Sequence, residues 1–265
     1  MSFAPVLPIG GYAGWAFLKR TMQSQTAVML AQPAMQRDEA YFRERIGRVN
    51  SADELVADRR LLRITLEAFG LEGDLDNRFF IRKVLGDGTL DPGALSNRLA
   101  DKRYHGLATA FGFGDLAVPR NRISDFADRM LAQRQQRVFE TAVGTRDESL
   151  RLALNARREL PEVLRRNQSD DARWFTIMGQ PPLRQVFETA FGLPKAFGAL
   201  DIDRQLGIFK EKARAVLGSD SPARLAEPEV VESLIRRFLL RAEPGSTVPF
   251  GVRGAGALQL LAAGR

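Results

Sequence analysis

One phrase of eleven residues occurs twice in this chain, and this internal repeat constrains the fold more than any other feature. The first copy is LLRITLEAFGL at 61–71, and the second is LRQVFETAFGL at 183–193. In both copies a Leu-Arg pair precedes A-F-G-L, with one extra residue between them in the second copy. A repeated phrase of this kind is typical of a duplicated structural unit. The sequence therefore predicts two related halves.

The A-F-G-L ending has a structural interpretation in both copies. Glycine enters the left-handed backbone conformation at low cost, so Gly70 and Gly192 are predicted to end a helix. Phe69 and Phe191 are predicted to fill the core. Looser versions of the same ending occur at 109–113 and 140–145. This recurrence favours a structural role for the motif over a binding site.

The fold class predicted from the sequence is all-α, a multi-helix bundle built from two related helical halves. Apolar residues recur at helical spacing along most of the chain, and long alternating strand patterns are absent. The predicted divisions are an N-terminal arm at 1–11, a first helical half at 12–166, a linker at 167–171, a second helical half at 172–243 and a flexible C-terminal tail at 244–265.

Local signals predict several helix boundaries. Ser51 is predicted to start a helix that runs to Phe69, because S-A-D-E is a capping-box pattern. Asp91 is predicted to cap a helix running to Phe111, and Ser124 to cap the next segment. Pro161 lies inside a helical pattern and is expected to break or kink it. The arm and the tail, rich in proline and glycine, are expected to be poorly tied to the helical body.

Composition removes several classes of function. The chain of 265 residues has no cysteine, so thiolate chemistry and cysteine metal sites are excluded. Its one histidine, His105, is interpreted as a helix residue that pairs with a neighbour. The net charge is +7, but acidic and basic residues are interleaved. This pattern indicates solvated helix faces, whereas nucleic-acid binding proteins concentrate their basic residues.

Three groups of residues are candidates for interaction with a partner. An apolar stripe on the first helix contains Trp15, Leu18 and Met22, and completion of the core is an equally good interpretation of this helix. Arg151, Arg158 and Arg165 follow one another at seven-residue steps and share a helix face. Glutamates among them favour a solvated face or a protein interface over phosphate contact. The tail carries an apolar patch that includes Leu258 and Leu261.

No motif for catalysis or for a cofactor is found, so no catalytic residue, cofactor or metal ligand is assigned. The stretch GDGTLD at 86–91 lacks the ligand spacing and the terminal Glu of an EF-hand. The carboxylate pairs Asp74 with Asp76 and Asp201 with Asp203 precede helix starts, where a capping role is expected.

The ends of the chain and its hydropathy bear on localisation. No apolar run approaches the roughly 20 residues of a membrane span. A cleaved secretory signal is not recognisable at the N-terminus. We therefore expect cytoplasmic synthesis without a cleaved signal, with export by a specialised apparatus left open.

An ordered series of phrases resembles a known family. The phrases are PVLPIGGYAGWAFLKRT, AYFRERIG, SADELVADRRLL, LEAFGLE and FFIRKVL. Together they resemble an alphaproteobacterial helical family of unknown function whose members are often encoded beside flagellar genes. The resemblance covers most of 3–240 and implies no catalytic residue. It implies a flagellum-associated protein.

The leading hypothesis from the sequence is a non-enzymatic helical protein that acts by protein–protein contact, in flagellar assembly or structure. One alternative is an Arg-rich nucleic-acid-binding or regulatory protein. A further alternative is an enzyme that uses carboxylate or arginine chemistry. The identity of the partner and the oligomeric state are left open.

Overall fold

The computed structural model describes residues 3–165 and 169–243 of the chain. These residues form thirteen α-helices joined by turns and short 3₁₀ helices, and they contain no strand. The predicted all-α fold is confirmed. The helices are α1 Gly11–Leu30, α2 Pro33–Arg45, α3 Ala52–Ala57, α4 Arg59–Phe69, α5 Arg78–Asp87, α6 Leu95–Arg98, α7 Lys102–Phe111, α8 Phe126–Gly144, α9 Glu148–Arg165, α10 Asp170–Gly179, α11 Pro181–Phe191, α12 Ile202–Leu217 and α13 Pro228–Ala242.

The contacts within the chain define two compact units. The described residues of unit 1 are 3–7 and 17–146, and those of unit 2 are 8–16, 147–165 and 169–243. The division differs from the predicted boundary at 167–171, because α9 belongs to unit 2. The apolar face of α9 packs on α11 and α13. Although α9 follows α8 directly in the sequence, the burial of its apolar face on α11 and α13 places it in unit 2.

Each copy of the repeat ends a helix in the predicted way. Gly70 and Gly192 both adopt the left-handed conformation, with φ of 68° and 67°. The amide of Leu71 donates to the Leu66 carbonyl at 2.9 Å, and that of Leu193 donates to the Glu188 carbonyl at 2.9 Å. These 6→1 bonds satisfy carbonyls at the helix end that would otherwise lack a donor.

Several helix boundaries differ from the prediction. Ser51 does cap α3 by accepting from the Glu54 amide at 3.2 Å, but that helix ends at Ala57. Asp58 then caps a new helix, α4, by accepting from two backbone amides at 3.0 Å. The predicted helix from 91 to 111 is likewise divided into α6 and α7, and Asp101 caps α7. An Asp that bonds amides ahead of it competes with the continuous helix.

One further expectation about a helix end is wrong. Ser124 does not cap α8, whose N-cap residue is Asp125. Pro161 lies within α9 and does not break it, and a kink there stays a prediction. Because proline has no amide hydrogen, the carbonyl of Arg157, four residues earlier, loses its helical donor. Arg157 is exposed, so solvent can satisfy this carbonyl.

Unit 1 has a core of aliphatic and aromatic side chains around α4. Leu62 and Leu66 are fully buried there, as are Phe42 and Phe111. α4 packs on α8, α3, α2 and α7. This central position fixes the direction in which the polar side chains of α4 leave the helix.

Unit 2 has a core dominated by aromatic rings. Trp174 lies edge-on to Phe187 with 5.7 Å between ring centroids, and Phe187 lies edge-on to Phe191 at 5.4 Å. Phe209 stacks on Phe197 at 5.4 Å. Tilted and stacked rings of this kind bury a large apolar area with favourable quadrupole geometry.

Residues 3–7 of the N-terminal arm are tied to unit 1, so the expectation of a loosely attached arm is wrong there. The Gln25 side chain accepts from the Val6 amide at 2.8 Å and donates to the Val6 carbonyl at 3.1 Å. Pro5 is buried, and the Phe3 ring lies 5.9 Å from that of Phe139. A side-chain amide therefore satisfies an extended segment that has no helix of its own. The tail at 244–265 lies outside the described residues.

None of the described helices combines the length and the apolar character that crossing a membrane requires.

Candidate functional site: an arginine–carboxylate cleft in unit 1

Three helices of unit 1 bring charged side chains to one place. Asp38 comes from α2, Arg63 and Glu67 come from successive turns of α4, and Arg134 comes from α8. Arg60, one turn before Arg63, lies on the same face of α4, because residues three and four apart are neighbours on a helix. We call these five residues the charge network.

The hydrogen bonds of the charge network are short and reciprocal. Asp38 accepts from Arg60 at 2.9 Å, from Arg63 at 2.7 Å and from Arg134 at 3.0 Å. Glu67 accepts from Arg63 at 2.9 Å and from Arg134 at 2.6 Å. Two carboxylates thus hold three guanidinium groups, and bonds of this charge-assisted kind are the stronger ones in proteins.

The centre of the network is removed from solvent, while Arg60 and Arg63 at its edge are 37% and 34% exposed. The Arg134 side chain is 2% exposed and that of Asp38 is 12% exposed. Burial by itself raises the pKa of Asp38, but hydrogen bonds from Arg63 and Arg60 and the charges of Arg63 and Arg134 lower it below its usual value. Asp38 is therefore ionised at neutral pH. A buried arginine without such partners would be costly.

A cleft of about 440 Å³ opens beside the network. Its polar wall includes Asp38, Arg63, Glu67 and Arg134 of the network. The further lining residues are Phe3, Met29, Gln32, Ala34, Met35, Glu72, Arg137, Val138, Thr141, Ala142 and Thr145. The cleft thus has an apolar side and an ionic side. This combination, with a volume between about 300 and 1,000 Å³, is typical of pockets for small ligands.

One atom of the network has no acceptor among the described residues. Arg134 donates through Nε to Glu67 and through Nη2 to Asp38. Its third nitrogen, Nη1, is buried and makes no hydrogen bond in the part of the chain that the structure describes. A buried polar group in this condition calls for a physical explanation.

Unit 2 shows which part of the network belongs to the repeat. Arg184 and Glu188 in α11 have the same four-residue spacing as Arg63 and Glu67 in α4, although they lie one residue further from the helix-ending glycine, and they pair at 2.7 Å. In unit 2, however, Arg184 donates to the neutral Gln205 at 2.8 Å. An Arg–Glu pair is therefore found on the repeat helix of each unit, but only the pair in unit 1 also contacts a buried aspartate and a buried arginine, Asp38 and Arg134.

The residues of the predicted apolar stripe are mostly part of the interior. Trp15 and Leu18 are fully buried, and Met22 is half-buried. The Trp15 indole N–H donates to Glu232 at 3.0 Å within unit 2. The side chains of Trp15 and Leu18 are thus inaccessible to a partner, and both residues belong to the core.

The predicted basic face lies on α9, and each of its arginines pairs with a glutamate of the same helix. Arg151 donates to Glu148 at 2.7 Å. Arg158 pairs with Glu159, and Arg165 pairs with Glu162. Each glutamate offsets the positive charge of the arginine with which it pairs. Leu258 and Leu261 lie outside the described residues.

The carboxylates of the two predicted Asp pairs are bonded to other groups of the protein. Asp201 caps α12 as expected, accepting from the Asp203 amide at 2.9 Å. Asp74 does not cap α5 but accepts from the Tyr104 hydroxyl at 2.5 Å, and Asp76 pairs with Arg59 at 2.7 Å.

No metal site is evident in the described part of the chain. Three or more histidine or acidic side chains do not come together there in a way that could hold a metal ion. His105 lies on α7, with its ring beside the Thr109 hydroxyl one turn later.

The charge network was not predicted, although the sequence holds a signal for it. Asp38 lies between the buried Met35 and Phe42 at helical spacing. Arg134 similarly continues the buried stripe of Met130 and Leu131 on α8. A charged residue within an apolar stripe indicates a buried ionic partner, but the pattern does not say which one.

Comparison with known proteins gives a family and a related structure. A crystal structure of a protein from Agrobacterium tumefaciens is similar, with a TM-score of 0.71 and 27% sequence identity. The alignment covers 90% of this chain and 97% of that protein. No curated protein matches the sequence. The sequence profile of DUF1217, described as a protein of unknown function, matches residues 68–231. Since the match spans more than half of the chain, the protein belongs to the DUF1217 family.

Proposed function

We propose that this protein acts by binding another protein and not by catalysing a reaction, and that its partner is a component of the flagellum. The observation that carries the binding role is a group of exposed apolar side chains on two loops of unit 1. Leu90 is 76% exposed, Val118 is 62% exposed and Leu116 is 40% exposed. We call these three residues the loop patch.

The loop patch is held in a fixed arrangement. Asp115 accepts from the Thr89 amide at 2.7 Å and from the Leu90 amide at 3.1 Å, so the loop before Leu116 is bonded to the loop that carries Leu90. Ser96 also donates to the Gly88 carbonyl at 2.6 Å. A preformed surface loses less conformational entropy on binding than a mobile one.

The close contact between these loops depends on glycine. Gly88 has a φ of 70°, and a Cβ on Gly114 would overlap the backbone at Gly86 and Gly88. Side chains larger than glycine would separate the two loops. The glycines thus allow the two loops that carry these exposed apolar side chains to lie together, and an exposed apolar surface is a feature of interaction sites.

The charge network supports a role other than proton transfer. A general acid or base works best with a pKa near the working pH. The pKa of Asp38 is instead lowered, and both Asp38 and Glu67 accept hydrogen bonds from arginines. Asp38 is held ionised, and both carboxylates are engaged by arginines.

The nucleic-acid alternative is not favoured by the arrangement on α9. Binding to phosphates requires arginines that can exchange small counterions for the nucleic acid. Arg151, Arg158 and Arg165 already have glutamate partners on their own helix.

The flagellar part of the proposal rests on the gene neighbourhoods of the family that the sequence resembles. A strain that lacks the protein should swim poorly in soft agar, and the wild-type gene should restore swimming. Normal swimming of the deletion strain would make the flagellar assignment wrong.

The binding role is tested by replacing the loop patch. The triple variant Leu90→Ser, Leu116→Ser, Val118→Ser should keep its helical circular dichroism but fail to restore swimming and lose cross-links to flagellar proteins in cells. Ile202→Ser is the control, because Ile202 is 47% exposed on unit 2. A triple variant that behaves like the control would exclude the loop patch as the binding surface.

A further inference from the structure

We infer that the loop patch of unit 1 binds an acidic segment of its protein partner, one that carries carboxylates beside apolar side chains. This inference rests on the proposed function and adds the chemistry of the partner. Its basis is a set of four exposed basic residues at the edge of the loop patch. We call them the basic border, and they are Arg98, Lys102, Arg120 and Arg122.

Two members of the basic border lie beside Leu90. The Asn97 side chain donates to the carbonyls on either side of Leu90 at 2.9 and 2.7 Å, so Asn97 is held against that loop. Arg98 follows Asn97 directly in the chain, and the Lys102 ammonium donates to the Asn97 carbonyl at 3.0 Å. Both residues are therefore neighbours of the most exposed side chain of the loop patch.

The other two members lie on the loop that carries Leu116. A Cβ on Gly112 would lie 3.0 Å from Leu116 and 3.8 Å from the Arg120 Cγ atom, so these two side chains are neighbours. The loop is fixed before Arg122 by the buried Asn121, whose side chain donates to two backbone carbonyls at 2.7 and 2.8 Å. Positive charge thus accompanies the apolar side chains on both loops.

The bonds that the basic border makes go to neutral oxygen atoms. Arg120 donates to the Thr109 carbonyl at 3.1 Å, and Arg122 donates to the Asn50 side chain. The bond of Lys102 likewise goes to a carbonyl. In the described part of the chain no carboxylate pairs with any of the four. A guanidinium has five N–H donors and an ammonium has three, so most of these donors are available to a partner.

The acidic residues of the same loops are already engaged. Asp115 accepts hydrogen bonds from the neighbouring loop through both of its oxygens. Asp91 accepts from a backbone amide at 2.8 Å, and Asp101 pairs with Arg103 at 2.6 Å. Between 88 and 123 the chain has five basic and three acidic residues, a net charge of +2. A partner that brings carboxylates to the loop patch complements this charge.

An anionic lipid surface would also attract basic residues that surround apolar ones. Lipid head groups attract basic residues through charge alone and do not require them at fixed positions. Lys102 and Arg120 are instead held beside the loops by bonds to backbone carbonyls. Donors at fixed positions match the fixed carboxylates of a folded partner, with which they form charge-assisted hydrogen bonds. The arrangement therefore favours a protein over a membrane.

The first test uses the full-length protein and a labelled helical peptide of Leu, Ala and Glu, with binding followed by fluorescence anisotropy. The matched probe has Gln in place of every Glu, so that it keeps its length and apolar residues without the charge. We expect the Glu peptide to bind at least about tenfold more tightly, which corresponds to about 1.4 kcal/mol. The difference should shrink between about 0.1 M and about 1 M salt, because the screening length falls from about 10 Å to about 3 Å. Equal binding of the two peptides, or no binding of the Glu peptide, would overturn the inference.

Charge reversal at the basic border tests the location. The double variant Arg98→Glu, Lys102→Glu should keep its helical circular dichroism and bind the Glu peptide at least about tenfold more weakly. The control is Arg157→Glu, Arg204→Glu, which changes the charge equally at two exposed residues of unit 2. It should bind within about twofold of the wild type, because distant charges are screened. If the two double variants bind alike, the acidic segment does not lie at the loop patch.

Vesicles test the membrane as the occupant. The wild type should bind phosphatidylcholine vesicles equally weakly with and without phosphatidylglycerol. Tighter binding to the vesicles that contain phosphatidylglycerol, lost in the triple serine variant of the loop patch, would overturn the inference and assign the surface to a lipid.

Cross-linking in cells separates this inference from the proposed function. We expect the charge-reversed variant Arg98→Glu, Lys102→Glu to lose the same cross-links to flagellar proteins as the triple serine variant. If only the triple serine variant loses them, the loop patch is the binding surface and its partner is not acidic there. If the triple serine variant keeps them, the proposed function itself fails at this surface.

Discussion

Phe69 and Phe191 close the two AFGL helices, and each ring lies in the core of its own unit. Their exposed fractions are 7% and 5%. The predicted burial is therefore confirmed for both. The burial of these two residues could be predicted from the sequence, because a large aromatic side chain on the apolar face of a helix is normally placed in the core. Asp38 and Arg134 show the opposite case, since their pairing joins helices almost a hundred residues apart.

Truncation of the repeat phenylalanines should be strongly destabilising. Phe69→Ala and Phe191→Ala should each lower the free energy of unfolding by about 3–5 kcal/mol, because each leaves a cavity in a packed core. Urea denaturation followed by circular dichroism measures this loss. Phe79→Ala is the control, as Phe79 is 70% exposed and should change stability by less than about 0.5 kcal/mol. Losses below about 1 kcal/mol at both Phe69 and Phe191 would show that the motif is peripheral.

At the scale of the helices, the ends of the elements were predicted better than the breaks within them. Gly70 and Gly192 end α4 and α11 at the positions that the sequence predicted. The break at Asp58 was not expected, because apolar spacing continues across it. Asp58 accepts from two amides of α4 and from the Tyr41 hydroxyl at 2.7 Å. The tyrosine comes from α2, so only the packed structure completes this cap.

The glycines that end the AFGL helices should not tolerate a side chain. Gly70→Ala and Gly192→Ala should each cost about 1–2 kcal/mol, the cost of left-handed backbone for an L-residue. Gly207→Ala is the matched control, because Gly207 lies within α12 and a Cβ there meets nothing within 4 Å. It should stabilise the protein by about 0.5–1 kcal/mol. Thermal and urea unfolding of the three variants check both signs, and an equal effect at all three positions would contradict the cap assignment.

At the scale of the whole molecule, the ionic interactions are unevenly distributed between the units. Among the described residues, five aspartates have a pKa below the usual value, and four of them belong to unit 1: Asp38, Asp58, Asp101 and Asp115. Burial raises the pKa of each of these four, but hydrogen bonds to backbone amides or to side-chain donors outweigh it. Both tryptophans of the chain, Trp15 and Trp174, belong to unit 2.

Acid should therefore destabilise unit 1 before unit 2. A carboxylate whose pKa is lower in the folded state binds fewer protons there than in the unfolded chain. Its contribution to stability is complete above the unfolded pKa of about 3.9 and is lost as pH falls through the folded value. Loss of helical circular dichroism on acidification should begin at a higher pH than the change in tryptophan fluorescence. The thermal stability of Asp38→Asn should depend less on pH than that of the wild type. A stability that rises on acidification, or coincident transitions, would contradict this distribution.

The sequence by itself determined the helical class, the repeat, the glycine helix ends and the burial of the repeat phenylalanines. Each of these depends on spacing or on backbone preference within a few residues, which a single stretch of sequence contains. The tertiary structure decided that α9 belongs to unit 2, that residues 3–7 are held by Gln25, and that Asp38 and Arg134 meet beside a cleft. Those features depend on contacts between distant segments. Their physical basis, the desolvation of charges and the packing of helix faces, is defined only when the chain is folded.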